Sequence, residues 1–190
     1  MNSCGLWSLL GGSARMRKIR YAVAISLDGH IAGPNGECNW IGTDPEVDFA
    51  AFWPQFDTLL MGRRTFELAV QTRGEDAFTS FTGVTPIVFS RTPKQQEHPY
   101  VTVVPELNAD WVRDLKAQSG KDIWLFGGGS LFRSILDCGL VDGVEVAIIP
   151  VLLGGGIPLL PPPYRPTKLR LINHHLYRSG RMSLAYEVQR

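Results

Sequence analysis

The stretch IWLFGGGSLFRSIL, Ile123 to Leu136, decides how the chain is read. An apolar, aromatic run ends in three consecutive glycines. A serine then opens a segment whose apolar residues recur at helical spacing. A helix N-terminus carries unpaired N–H groups and a partial positive charge, so it attracts phosphate. Glycine lets backbone approach such an anion with no Cβ in the way. Gly127, Gly128 and Gly129, with Phe126 before them and Ser130 and Leu131 after, therefore form a candidate phosphate cradle where a strand meets a helix. The pattern is neither GxGxxG nor a P-loop, because Ser130, Leu131 and Phe132 follow the glycines and no Gly-Lys-Ser/Thr does. The alternative is a tight strand-to-helix turn with no ligand. A second triple glycine, Gly154 to Gly156, leads into Ile157-Pro158 and more prolines, so no helix stands behind it and it reads as a structural loop.

Two further junctions repeat the chemistry. LLMGRRTFE is again strand, glycine, helix, and sets Gly62, Arg63, Arg64 and the Thr65 hydroxyl at a helix start. Arginine stays charged and makes forked contacts to phosphate; the plain alternative is two solvated arginines. IVFSRT ends a strand in Ser90, Arg91 and Thr92. Ligands of open α/β sheets bind at the carboxyl ends of strands. Two phosphate sites and an extra arginine site match a dinucleotide bearing a 2′-phosphate. Each charge-assisted contact contributes roughly 1.5–3 kcal/mol, so losing one costs about tenfold or more in affinity.

The rest of the chain fits an α/β fold. KIRYAVAIS, DTLLMG, TPIVFS, VTVV, DIWLF and VEVAII read as strands, RRTFELAVQ, NADWVRDLKAQS and SLFRSILDC as helices. Asn108 is a cap candidate, with Trp111, Val112 and Leu115 on one helix face. DPEVDFAAFWPQ reads as a helix capped by Asp44, with Val47, Phe49, Phe52 and Phe56 on its buried side. KLRLINHHLY and RMSLAYEVQ are a closing antiparallel pair joined around Ser179-Gly180. The expectation is a three-layer α-β-α domain with a mixed, mostly parallel central sheet over residues 16–190. Residues 1–15, Gly/Ser-rich and mildly apolar, read as a non-core leader.

The chain's 190 residues suit one domain, and 44% hydrophobic with 19% charged residues suits a soluble one. A net charge of +1 gives no field that recruits nucleic acid or membrane. Three widely spaced cysteines, Cys4, Cys38 and Cys138, form no disulfide framework or zinc pattern and fit a reducing cytoplasm. Cys138 reads as a small buried hydrophobe. Adjacent His174 and His175 point to opposite faces of a strand and share no metal.

AISLDGHIAG, DTLLMGRRTFE, IVFSRT, IWLFGGGSLFRSIL and IIPVLLGGGIPLLP stand in one order and spacing. In that arrangement the chain, from Arg17 onward, resembles the dihydrofolate reductase-like superfamily, including the C-terminal reductase domain of the riboflavin-biosynthesis deaminase-reductase. The resemblance implies NADPH. Arg63, Arg64 and Thr65 would hold the 2′-phosphate and pyrophosphate region, Ser90 and Arg91 would bracket the adenosine 2′-phosphate, and Gly127 to Gly129 would cradle the pyrophosphate. The first Gly-Gly peptide is often cis in this family. Ala24 and Ile25, with the SLDG turn that contains Asp28, would border the nicotinamide and substrate. Family members also imply a homodimer.

On the substrate side the chain departs from its relatives. Dihydrofolate reductases place an acid on the helix after the first loop; here Asp48 stands there, with Phe52 one turn on. Facing the pocket, Asp48 would supply a proton; the alternative is an exposed acid at a helix start. FTSFTGVTPIVFS lacks the arginine that grips a folate tail, and Ala22 stands where riboflavin-type reductases tend to carry lysine. Tyr21, His30, Trp40 and Trp53 are left to shape a pocket for another flat heterocycle. The sequence thus points to a reductase passing hydride from NADPH to a small heterocycle, with Asp48 as proton source. The alternative is a non-catalytic NADP-binding module or sensor.

Overall fold

In the computed structural model of the chain, the described residues are 16–74, 76–79, 82–92, 98–163 and 165–190; the expected leader and Cys4 lie outside them. Ten strands follow in chain order: β1 (Ile19–Ser26), β2 (His30–Ala32), β3 (Phe56–Gly62), β4 (Thr85–Phe89), β5 (Thr102–Val104), β6 (Asp122–Gly127), β7 (Gly143–Ile149), β8 (Ile157–Pro158), β9 (Leu169–Leu176) and β10 (Met182–Val188). The helices are α1 (Phe49–Phe52), α2 (Arg63–Arg73), α3 (Asp76–Thr79), α4 (Ala109–Ala117) and α5 (Gly129–Asp137).

Eight strands form one sheet in the order β5-β4-β3-β6-β1-β7-β10-β9, and β2 pairs with β8 apart from it. The pairs from β5 to β7 are parallel. Strand β10 runs antiparallel to both β7 and β9. The sheet is therefore mixed and mostly parallel, as the alternation of strands and helices predicts.

Strand alternation divides the core in two. One side carries Ile19, Tyr21, Leu60, Ile87, Ile123 and Leu125, covered by Val112 and Leu115 of α4 and by Phe132 and Ile135 of α5. The other carries Ala22, Leu59, Met61, Val88 and Trp124, covered by Phe66 of α2 and Ala77 and Phe78 of α3. Spacings of three residues on α4 and α5 bring each pair to one face. Each fully buried large side chain contributes roughly 1.5–3 kcal/mol. At the amino edge of the sheet, the buried Arg17 guanidinium donates to Lys121 O at 2.6 Å and Thr58 Oγ1 at 2.6 Å, and pairs with Asp57. These contacts tie β3 to the turn before β6.

Four local expectations are corrected. The helix after the first loop begins at Phe49, so its cap is Asp48, which accepts from Ala51 N. Asp44 lies earlier, accepting from Glu46 N at 3.0 Å and from the Ser179 hydroxyl at 2.6 Å. Pro54 then tightens the chain into a 3-10 turn over Trp53–Gln55, which leaves Phe49 exposed and gives Phe56 to β3. Cys138 is exposed, because it stands at the C-terminal cap of α5 beyond the last buried turn. Tyr21 faces the core, stacked on Phe132 at 4.0 Å, and shapes no pocket.

Candidate functional site

The carboxyl ends of β4, β3, β6 and β1 lie side by side on one edge of the sheet. Register brings them level, since Met61 pairs with Val88 on one side and Gly127 on the other. The three junctions singled out in the sequence are therefore neighbours, and side chains link them. Arg63 Nη1 donates to Thr92 Oγ1 at 3.4 Å, joining the β3 junction to the β4 junction. Thr65 Oγ1 lies against the glycines, 3.4 Å from where a Cβ on Gly128 would stand. Ser90 is buried and its Oγ accepts from Thr92 N at 3.1 Å, which curls the end of β4 back toward Arg63. Arg64 and Arg91 are exposed on the same edge.

The two helices that start here differ from α1 and α4. Gly62 caps α2 and Gly128 caps α5, and neither has a side-chain capping bond. By contrast Asp48 caps α1 and Asn108 caps α4, each with a carboxylate or amide oxygen on the helix amides. An uncapped N-terminus keeps its first N–H groups free for an anion. Two such ends, Arg63 and the Thr65 hydroxyl face one edge, an arrangement that fits a pyrophosphate with a further phosphate nearby. The Gly127–Gly128 peptide is cis.

On the α1 side of the sheet, an aromatic wall stands beside β6. Phe52 and Trp53 pack on Trp124 at 5.3 and 4.9 Å between ring centroids, and Trp124 donates to Ala22 O at 2.9 Å. Past that wall the sheet face carries small side chains. Register aligns Ala24 with Ala147, Ala147 with Ser183, and Ser183 with His175, in a row from β1 to β9. None of these four is buried. The row forms a shallow trough beginning at the β1 end, where Ala24 was placed by sequence. Sequence reasoning missed its far half, although the alternation of Ser183 and Ala185 along β10 was the available signal.

The remaining expected residues separate. Asp28 is engaged in the fold: its carboxylate accepts from Leu153 N at 3.1 Å and Gly154 N at 2.7 Å. The Ser26 hydroxyl first, then these amides, hold that carboxyl well below the usual carboxylate range. Trp40 is half-buried and donates to Glu37 O at 2.9 Å, out on the first loop. Asp48 is exposed, with Oδ1 2.9 Å from Ala51 N. Phe52 stands in the aromatic wall, one turn from Asp48. Among the described residues no cluster of metal-ligating side chains occurs, and no helix is long and apolar enough to cross a membrane.

Comparison with known proteins agrees with this architecture. Uncharacterized protein YyaP of Bacillus subtilis (strain 168) is 35% identical over 180 residues, spanning 90% of this chain and 95% of that one. A crystal structure from Shewanella sp. PV-4, provisionally named a riboflavin biosynthesis protein, superposes with a TM-score of 0.76 at 26% identity, over 92% of this chain and 100% of that one. Dihydrofolate reductase from Enterococcus faecalis, solved with NADP(H), shares the fold with a TM-score of 0.64 at 17% identity, over 91% and 97% of the two chains. The profile of the RibD C-terminal domain matches residues 17–182, and the chain belongs to that family.

Proposed function

We propose that the protein is an NADPH-dependent reductase of a small heterocyclic substrate. One observation carries the reading: two glycine-capped helix N-termini meet Arg63 and Thr65 at the carboxyl ends of adjacent parallel strands. Family membership and the NADP(H) bound to the Enterococcus faecalis reductase support the cofactor. The nicotinamide supplies the hydride. The chain's own residues bind and orient: Arg63, Arg64, Ser90 and Arg91 hold the 2′-phosphate end, Gly127 to Ser130 hold the pyrophosphate, and Ala24 sets the reacting ring over the trough. Phe126 and Leu131 flank the cradle. Asp48, at the foot of the aromatic wall, delivers the proton through water.

The test is a titration with NADPH and NADH followed by tryptophan fluorescence. NADPH should bind tightly, and Arg63→Ala or loss of the 2′-phosphate should weaken binding about tenfold or more. Equal affinity for both nucleotides in both proteins would refute the phosphate assignment. Asp48→Asn then tests the proton source cleanly, because asparagine caps helices as well as aspartate does. It should lower turnover about 100-fold with unchanged Tm.

A second reading, a non-catalytic NADP-binding module, is favoured by one observation: Asp48 is exposed and engaged as a helix cap. Turnover with any pterin or aminopyrimidine would remove it.

The homodimer implied by the family finds support in β9. It is an edge strand whose eight residues are all exposed, Leu169, Leu171, Ile172 and Leu176 among them. An exposed apolar edge invites pairing with a second copy about a two-fold axis. Light scattering that returns the 21.1 kDa monomer would refute the dimer.

A further inference from the structure

Arg181 stands just before β10, at the end of that strand that lies beside the carboxyl end of β7. It is therefore on the same sheet edge as the candidate cofactor site, two strands beyond β1. It is only 8% exposed, yet its guanidinium forms no hydrogen bond or ion pair among the described residues, and its Nε is closed off from solvent and unpaired. Buried charges are normally paired, because leaving water without a partner is costly. The neighbouring carboxylates are already engaged. Asp44 accepts from the Ser179 hydroxyl and from Glu46 N, and these bonds, with a smaller contribution from the Arg181 charge, hold its carboxyl below the usual range. Glu46 pairs with Arg178 at 3.0 Å. Arg181 is thus left with a charge interaction with Asp44 but no hydrogen-bonded partner.

Position gives the cation a use. Arg181 precedes Ser183 by two residues, in the alternation that turns Ser183 and Ala185 toward the trough with Ala147 and Ala24. Strands lie about 4.8 Å apart, so the trough runs roughly 10 Å from β1 to β10. A flat ring over Ala24 with a short substituent reaches the Arg181 end. Among the described residues aligned in this row, none is a lysine or an arginine.

We propose that Arg181 is the anchor for an anionic substituent, a phosphate monoester or a carboxylate, on the heterocycle bound in the trough. That the ligand is a substrate rests on the reductase reading; that the site takes an anion does not. The chain lacks both the folate-tail arginine and the riboflavin-type lysine, and Arg181 supplies a cation from a different element.

The experiment is the arginine Nε–Hε NMR spectrum of the 15N-labelled full chain, with the Arg181 resonance assigned by its loss in Arg181→Lys. Inorganic phosphate and sodium acetate are titrated separately, with sodium chloride at matched ionic strength as control. The expected result is a saturable shift of the Arg181 resonance with phosphate or acetate and none with chloride. Tighter saturation by phosphate identifies a phosphate ester, and tighter saturation by acetate a carboxylate. No shift with either anion, or the same shift with chloride, overturns the proposal. Arg181→Gln extends the test to stability: the rise in Tm that acetate gives the wild type should be lost and the rise that phosphate gives should shrink, since the cofactor edge still takes phosphate, while NADPH affinity stays unchanged. NADPH titration of the same samples separates the two readings. An Arg181 shift without NADPH binding would keep the anion site and sink the cofactor assignment, and the reverse would sink the anion site alone.

Discussion

Gly127–Gly129 and Gly154–Gly156 have the same three letters, and what a Cβ would meet in each run differs. At Gly128 a Cβ would stand 3.4 Å from Thr65 Oγ1, at ordinary backbone angles, in the space in front of an uncapped helix. At Gly156 a Cβ would come within 2.2 Å of Ala32 O, at a φ of +145°. The first glycine leaves open the space in front of that helix, where the proposed pyrophosphate would lie. The second lets the chain's own backbone close up, so that β8 can pair with β2. The runs are also connected. The backbone that follows the second run walls the first, since a Cβ on Gly129 would lie 2.7 Å from Pro158 O. A glycine run is therefore functional or structural according to whether a ligand or a carbonyl occupies the space that the missing Cβ leaves.

The largest expected effect breaks the structural run. Gly156→Ala should destabilise the protein by about 3 kcal/mol or more, through backbone strain and a clash with a carbonyl that cannot rotate away. Urea unfolding measures it, and a wild-type midpoint would show that the β2–β8 contact yields easily. Next comes Gly128→Ala, which should leave the urea midpoint close to wild type and weaken NADPH binding about tenfold or more, as one lost charge-assisted contact would. If Gly128→Ala unfolds the protein while Gly156→Ala does not, the assignment of the two runs is reversed.

The smallest effect concerns the clamp that holds the second run. Asp28→Asn should lower Tm modestly and loosen the 153–154 turn, read as faster amide exchange at Leu153 and Gly154. The sign with pH follows from the depressed carboxyl. A lowered folded pKa contributes stability that is complete above the ordinary carboxylate range and is lost as pH falls through the folded value. The wild-type advantage over Asp28→Asn should therefore persist through mild acid and vanish only in strong acid. An advantage lost at mildly acidic pH would contradict the clamp.

The sequence carried the fold well because its signals were long and local. β1 and the strands from β3 to β7 are apolar runs bounded by turn residues, and Asn108 capped α4 as its position predicted; the short β2 lay in a stretch that reads as a loop. The candidate cofactor edge could be picked out because each junction is written within a few consecutive residues, and the sheet order sets the three side by side. What failed was decided by tertiary contact. Asp44 looked like a cap, but the β9–β10 hairpin claims it through Ser179, so the helix starts at Phe49 and Asp48 takes the cap. Asp28 looked like a substrate contact, but a loop far along the chain satisfies its carboxylate. Arg181 gave no local signal, because its isolation is defined by neighbours on other strands.

The bare trough has a consequence for how such a chain can diversify. Ala24, Ala147 and Ser183 belong to neither buried cluster, so changes there leave the packing that folds the molecule largely untouched. Under the proposed function, recognition of the substrate can drift, or be selected in a directed-evolution library, at little cost in stability. The candidate cofactor edge is built from glycines and strand ends of the backbone itself, so changes there act on the fold as well. One half of the sheet is tied to the fold; the other is a surface on which new specificities can be written.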